Sequence, residues 1–163
     1  MTSPTAATPR RGASRSKCVI PRKPDLVFIG GISQKDIESI RTVIRELRTA
    51  LSEVEIVLAS GTFGTADPRE PEELAKAAHS GTGAYGAALQ KLATEEKCAY
   101  LDMTTPWAQY IRSAQLHPHL FYRDVVHANE YGEQILSKIL MAALSPSVAP
   151  GIPSRACLAS SAF

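Results

Sequence analysis

"DLVFIGG", residues 25–31, is the stretch on which the fold turns. Leu26, Val27, Phe28 and Ile29 run without interruption into two glycines, the length and flanking of a buried strand. Immediately after it, Ile37, Ile40, Ile44, Leu47 and Leu51 recur at spacings of three and four, so an amphipathic helix follows with its charges on the far face. "VEIVLAS" (residues 54–60) is a second strand, β-branched and ended by Gly61. The next 23 residues, "GTFGTADPREPEELAKAAHSGTG", are rich in Gly, Pro and charge and read as a long surface loop with at most a short helical piece.

Tyr85, Leu89 and Leu92 mark a second helix, and "CAYLDM" (residues 98–103) a third strand. "TTPWAQYIRS" reads as a helix with a Thr cap and Pro106 in its first turn. Trp107, Tyr110 and Ile111 form its core-facing stripe, and Cys98 is a buried strand residue. A last helix starts at Asn129, a good N-cap, and runs to about Ala143. Strand and helix in alternation imply a three-layer α/β domain over residues 24–144, its parallel sheet covered by helices. Functional loops in such sheets lie past the carboxyl ends of the strands. Here those ends are Gly30 and Gly31, Ser60 and Gly61, and Asp102 and Met103.

Composition narrows the function classes. With 44% hydrophobic and 21% charged residues in 163, the chain is long enough for one real core. Residues 1–23 hold Arg10, Arg11, Arg15, Lys17, Arg22 and Lys23 without an acid, while the remainder carries a net charge of −4. An acidic body disfavours nucleic acid, and the basic head reads as a solvated, disordered tail. Residues 145–163, with three prolines and one charge, read as a second such tail. Cys18, Cys98 and Cys157 are widely spaced and odd in number, which fits a reducing, cytoplasmic setting better than a disulfide framework. No apolar run has the length of a membrane span, and the head lacks the apolar stretch of a secretory signal.

"YRDVVHANEYGEQILSKIL" (residues 122–140) carries the chemistry. Asp124 and His127 lie three apart where a loop enters the last helix. A carboxylate there accepts from one imidazole nitrogen, fixing the tautomer and leaving the other nitrogen as a general base. His117, His119, Asp124 and His127 also fall within eleven residues, an arrangement that suits zinc or iron. Pro118 separates the first two, and His-Pro-His reads more simply as exposed loop, so no metal is assigned.

"DLVFIGG", "VEIVLASGTFG", "AYLDM" and above all "RDVVHANEYGEQIL" resemble the C-terminal part of the SGNH/GDSL hydrolases. These are flavodoxin-like α/β ester hydrolases whose last motif is Asp-x-x-His, commonly continued by an Asn and a Gly. The resemblance spans about residues 24–143. It implies hydrolysis of a small ester, an O-acetyl or lipid-like one, with His127 as base, Asp124 orienting it and no cofactor. Family members carry their nucleophile in a Gly-Asp-Ser turn after a first strand, and no Gly-Asp-Ser occurs here. The expectation is therefore an incomplete domain, with its N-terminal strand units missing.

The family's oxyanion Asn corresponds to Ile32, and Asn129 is the only Asn in the chain. That leaves backbone N–H groups around Gly30 and Gly31 as oxyanion donors. Ser33 and Ser60 also follow strands on the productive edge, although turn formation explains both as well. The alternative reading is a catalytically inactive member acting as a binding or assembly module. An incomplete sheet further implies self-association through its exposed edge.

Overall fold

The strand β2 (Glu55–Ala59) is the middle of a three-stranded parallel sheet, with β1 (Leu26–Ile29) on one side and β3 (Ala99–Leu101) on the other. The chain is seen here as a computed structural model that describes residues 13–30, 36–64, 66–79, 82–125 and 127–145. Val27 pairs with Ile56 and Phe28 with Val57, and further along β2 Val57 pairs with Ala99 and Ala59 with Leu101. Side chains alternate across a strand, so β2 feeds two cores at once.

On one face Ile56 and Leu58 meet helices α2 (Ile37–Ala50) and α4 (Thr82–Glu95) through Ile40, Ile44, Leu47, Leu89 and Leu92. On the other, Val57, Ala59, Leu101 and Met103 pack against Leu136, Ile139, Leu140 and Ala143 of α6 (Glu130–Leu144). Right-handed crossovers between strands laid down in one direction put their helices on one face, and α2 and α4 share it. The opposite face is covered by the returning helix α6. The result is the expected three-layer α/β arrangement.

The linkers differ from expectation in two places. Residues 13–22, assigned to the disordered head, form helix α1 (Ala13–Val19) and a 3-10 turn (Ile20–Arg22). Val19 and Ile20 pack against the α2–α4 core, and the Ser16 hydroxyl donates to the Glu46 carboxylate of α2. Two apolar residues and one hydroxyl are too sparse for a visible period, so only tertiary contact marks the helix. The rest of the two tails, residues 1–12 and 146–163, lies outside the described residues. The long loop holds helix α3 (Pro71–His79), longer than the short piece expected.

Arg41 bridges Glu95 at 2.7 Å and Glu96 at 2.8 Å, while Arg45 reaches Glu96 at 2.9 Å. Hydrogen bonds from these guanidinium groups hold the Glu96 carboxyl below its ordinary pKa. The cluster, partly buried at Arg41 and Glu96, ties α2 to the end of α4. Among the described residues no helix is long and apolar enough to cross a membrane.

Among the described residues strand β1 is well covered on one side only. Val27 and Ile29 face the α2–α4 core, while Leu26 and Phe28 on the other side are 48% and 44% exposed. Helix α6 covers β2 and β3 and leaves these two uncovered. An open edge with an apolar side is a template for pairing. The sedimentation coefficient of the chain should therefore rise with concentration, and Phe28→Lys should suppress the rise at little cost in helix content. A concentration-independent monomer with one sharp thermal transition would contradict this.

Candidate functional site

The site is a tight turn clamped at its base. Backbone bonds run from Arg123 N–H to the His127 carbonyl and from Asn129 N–H to the Phe121 carbonyl, both at 3.0 Å. Between them Tyr122 and Ala128 form an antiparallel bridge. Within the turn one Asp124 oxygen, Oδ1, accepts the His127 backbone N–H at 2.8 Å. The other, Oδ2, lies 2.8 Å from His127 Nδ1. An ionised carboxylate only accepts, so a neutral imidazole in this contact carries its proton on Nδ1 and offers the lone pair of Nε2. The side chains are 61% and 47% exposed for His127 and Asp124, a setting in which an ion pair contributes at most about 1 kcal/mol. The pair orients the ring and adds little to stability.

Asn129 locks the turn to α6. Its Oδ1 caps the helix by accepting from Tyr131 N–H at 3.0 Å and Gly132 N–H at 3.1 Å. Its amide donates back to the Leu120 carbonyl at 2.8 Å. This is the N-cap the sequence indicated, and it leaves the chain's one Asn without an oxyanion role. Gly132 was not singled out from sequence. A Cβ there would sit 2.3 Å from the Phe121 carbonyl oxygen and 2.9 Å from both Ala128 Cβ and the Trp107 ring. The first turn of α6 thus presses directly on the strand pair holding His127. A glycine inside a helix costs about 1 kcal/mol against alanine, and that cost was the available signal.

Ser60 is tied into the fold. It is 2% exposed. Its Oγ accepts from the N–H of Met103 at 2.9 Å and of Thr104 at 3.2 Å, and lies 3.3 Å from Asp102 Oδ1. It is a structural hydroxyl joining β2 to the start of α5 (Thr104–Ala114). That helix is capped differently from expectation. Asp102 Oδ1, not a threonine, accepts the N–H of Thr104 at 2.9 Å and of Thr105 at 3.1 Å.

Gly30 ends β1 on the productive edge, while Gly31, Ile32 and Ser33 lie outside the described residues. His117 and His119 stack at 4.9 Å between ring centroids, and His117 Nδ1 accepts from His119 N–H at 3.3 Å. Among the described residues no three His, Cys, Asp or Glu side chains gather as a metal requires. Trp107 and Ile111 are fully buried, as expected, whereas Tyr110 is 43% exposed and makes a T-shaped contact with Phe121. Cys98 is half-buried, and that burial pushes its thiol pKa up.

No family model and no curated protein matches the sequence. Solved structures do resemble the fold. An acetylxylan esterase from Geobacillus stearothermophilus aligns with a TM-score of 0.53 at 20% identity, over 80% of this chain and 64% of that one. A second acetyl xylan esterase aligns at 0.61 and 19%, over 82% and 74%. A protein described as a GDSL-like lipase from Parabacteroides merdae aligns at 0.60 and 16%, over 80% and 65%. Two variants of the Geobacillus enzyme, one replacing a serine and one an aspartate, are described as catalytic mutants. At these identities the likeness concerns the fold. The chain shares the α/β fold of these structures over the part it spans, and it spans under two thirds of the Geobacillus enzyme's length.

Gly132→Ala should lower stability by about 1–3 kcal/mol despite the better helix former, because the clash is with backbone that no rotamer relieves. That is a fall of several degrees in Tm. An unchanged or higher melting temperature would show that α6 does not press on the His127 turn.

Proposed function

We propose that this chain is the base-bearing part of an SGNH-type ester hydrolase, with His127 as general base and Asp124 as the group that orients it. The observation supporting it is the 2.8 Å contact between Asp124 Oδ2 and His127 Nδ1, which leaves Nε2 free. The turn that holds the pair enters α6 of a parallel α/β sheet whose structural neighbours include acetylxylan esterases.

In this reading His127 Nε2 takes the proton of a serine hydroxyl as its oxygen attacks the ester carbonyl. The imidazolium, steadied by Asp124, returns that proton to the departing alcohol. Water then cleaves the acyl-serine by the same base. Backbone N–H groups at Gly30 and Gly31 are the proposed oxyanion donors. The substrate is a small ester, with an O-acetyl group favoured by the names of the neighbours, and the reaction needs no cofactor. The serine comes from a Gly-Asp-Ser segment that completes the sheet beside β1.

One observation favours a second reading, a binding or assembly module without catalysis. Ser60, the described serine next to a strand end of the productive edge, is buried and committed to structural hydrogen bonds.

The test is hydrolysis of a small acetyl ester by the chain alone and with a strand–Gly-Asp-Ser–helix segment fused ahead of it. Little turnover is expected from the chain alone and clear turnover from the completed protein. Activity should fall on the acid side, where a protonated imidazole cannot accept the serine proton. His127→Ala and Asp124→Asn should each lower kcat about 10²- to 10⁴-fold, with the double variant no worse than the more severe single one. Additive losses would break the pairing. A completed protein that folds and hydrolyses nothing with His127 intact would favour the binding module.

A further inference from the structure

Tyr122 stands where two loops of the carboxyl edge meet. Its backbone forms the bridge to Ala128, the residue after His127. Its hydroxyl accepts the Gly64 N–H at 3.0 Å, from the loop that leaves β2. Gly64 has a φ of +86°, a conformation that a side chain would strain, so a glycine is what aims this N–H at the tyrosine. The other end of the loop is tied as well. The Thr104 hydroxyl lies 2.8 Å from the Gly61 carbonyl and 3.0 Å from Ser60 Oγ.

The Tyr122 ring is 7% exposed and meets Trp107 edge-on at 5.4 Å. Phenylalanine would fill that space equally well. A buried hydroxyl is unfavourable unless it is paired, so its presence points to the partner it holds. Burial also pushes the phenol pKa up to about 12, and the group stays neutral across ordinary pH.

We propose that Tyr122 is a positioning residue whose hydroxyl clamps the 61–64 loop to the base of the His127 turn. The clamp acts through geometry alone. Phe63 is buried beneath the loop in one cluster with Trp107, Tyr122 and Ala128, so loop and turn share a floor. The hydroxyl fixes the loop's height above it. As a device for ester hydrolysis the clamp rests on the function proposed above; as a structural tie it does not.

The test is hydrogen exchange by mass spectrometry on the full chain and its Tyr122→Phe variant, paired with ester kinetics of the completed protein. Exchange in peptides covering residues 61–66 should quicken about two- to tenfold, the worth of one net hydrogen bond. Peptides from β2 and α4 should keep their protection. In the completed enzyme kcat should fall with the acid limb of the pH profile unmoved, because Asp124 still holds His127.

Unchanged exchange at residues 61–66 would overturn the clamp. Faster exchange throughout the core would also overturn it, by showing that the hydroxyl serves general stability. Quickened loop exchange with an unaltered kcat would overturn its positioning role. If no completed protein hydrolyses an ester, the functional reading fails while the exchange result still decides the clamp.

Discussion

The Asp124 carboxylate makes two contacts into one residue, its backbone N–H and its imidazole Nδ1. The first contact closes the turn and the second meets the ring, so a single side chain touches both the backbone and the imidazole of His127. Because the pair is exposed, its own energy is small, and the arrangement depends on the elements that hold the turn. These are the Tyr122–Ala128 bridge, the Asn129 cap and the close seat of Gly132. Each of them is buried or half-buried, where geometry is enforced by packing.

That packing divides the molecule into two regimes. Between α2, α4 and the sheet lies an aliphatic core of Ile44, Leu47, Leu58, Leu89 and Leu92. Below the site the filling is aromatic, with Trp107 edge-on to Phe121 and Tyr122. Rings with polar edges join loops at defined angles, which aliphatic side chains do poorly. The β1 side is the opposite case, where Leu26 and Phe28 stay about half exposed among the described residues. The candidate site thus rests on an aromatic floor, beside a sheet whose β1 side is half exposed among the described residues.

Sequence made the strands and main helices legible because burial writes its own period. The Ile40, Ile44 and Leu47 stripe and the closed run "EIVLA" could hardly read otherwise. Asp124, His127 and the Asn129 cap were legible because their contacts are local, within three residues or so. What stayed hidden involves distance. Gly64 is 58 residues from Tyr122, and nothing in either segment announces the bond between them. Ser60 looked like an edge serine until its partners, more than 40 residues on, accounted for it. Helix α1 escaped notice because its attachment is a few tertiary contacts. At the start of α5 Asp102 and the threonines stand side by side in sequence, and only geometry shows that Asp102 accepts the first N–H groups.

The claim on which the rest stands is that Asp124 fixes the His127 tautomer and keeps Nε2 unprotonated. Side-chain ¹⁵N NMR of the neutral imidazole reads this directly. The proton is expected on Nδ1 in the unmodified chain, with a mixture of tautomers once Asp124 is replaced by alanine. A neutral His127 carrying its proton on Nε2, or a tautomer balance indifferent to Asp124, would contradict it.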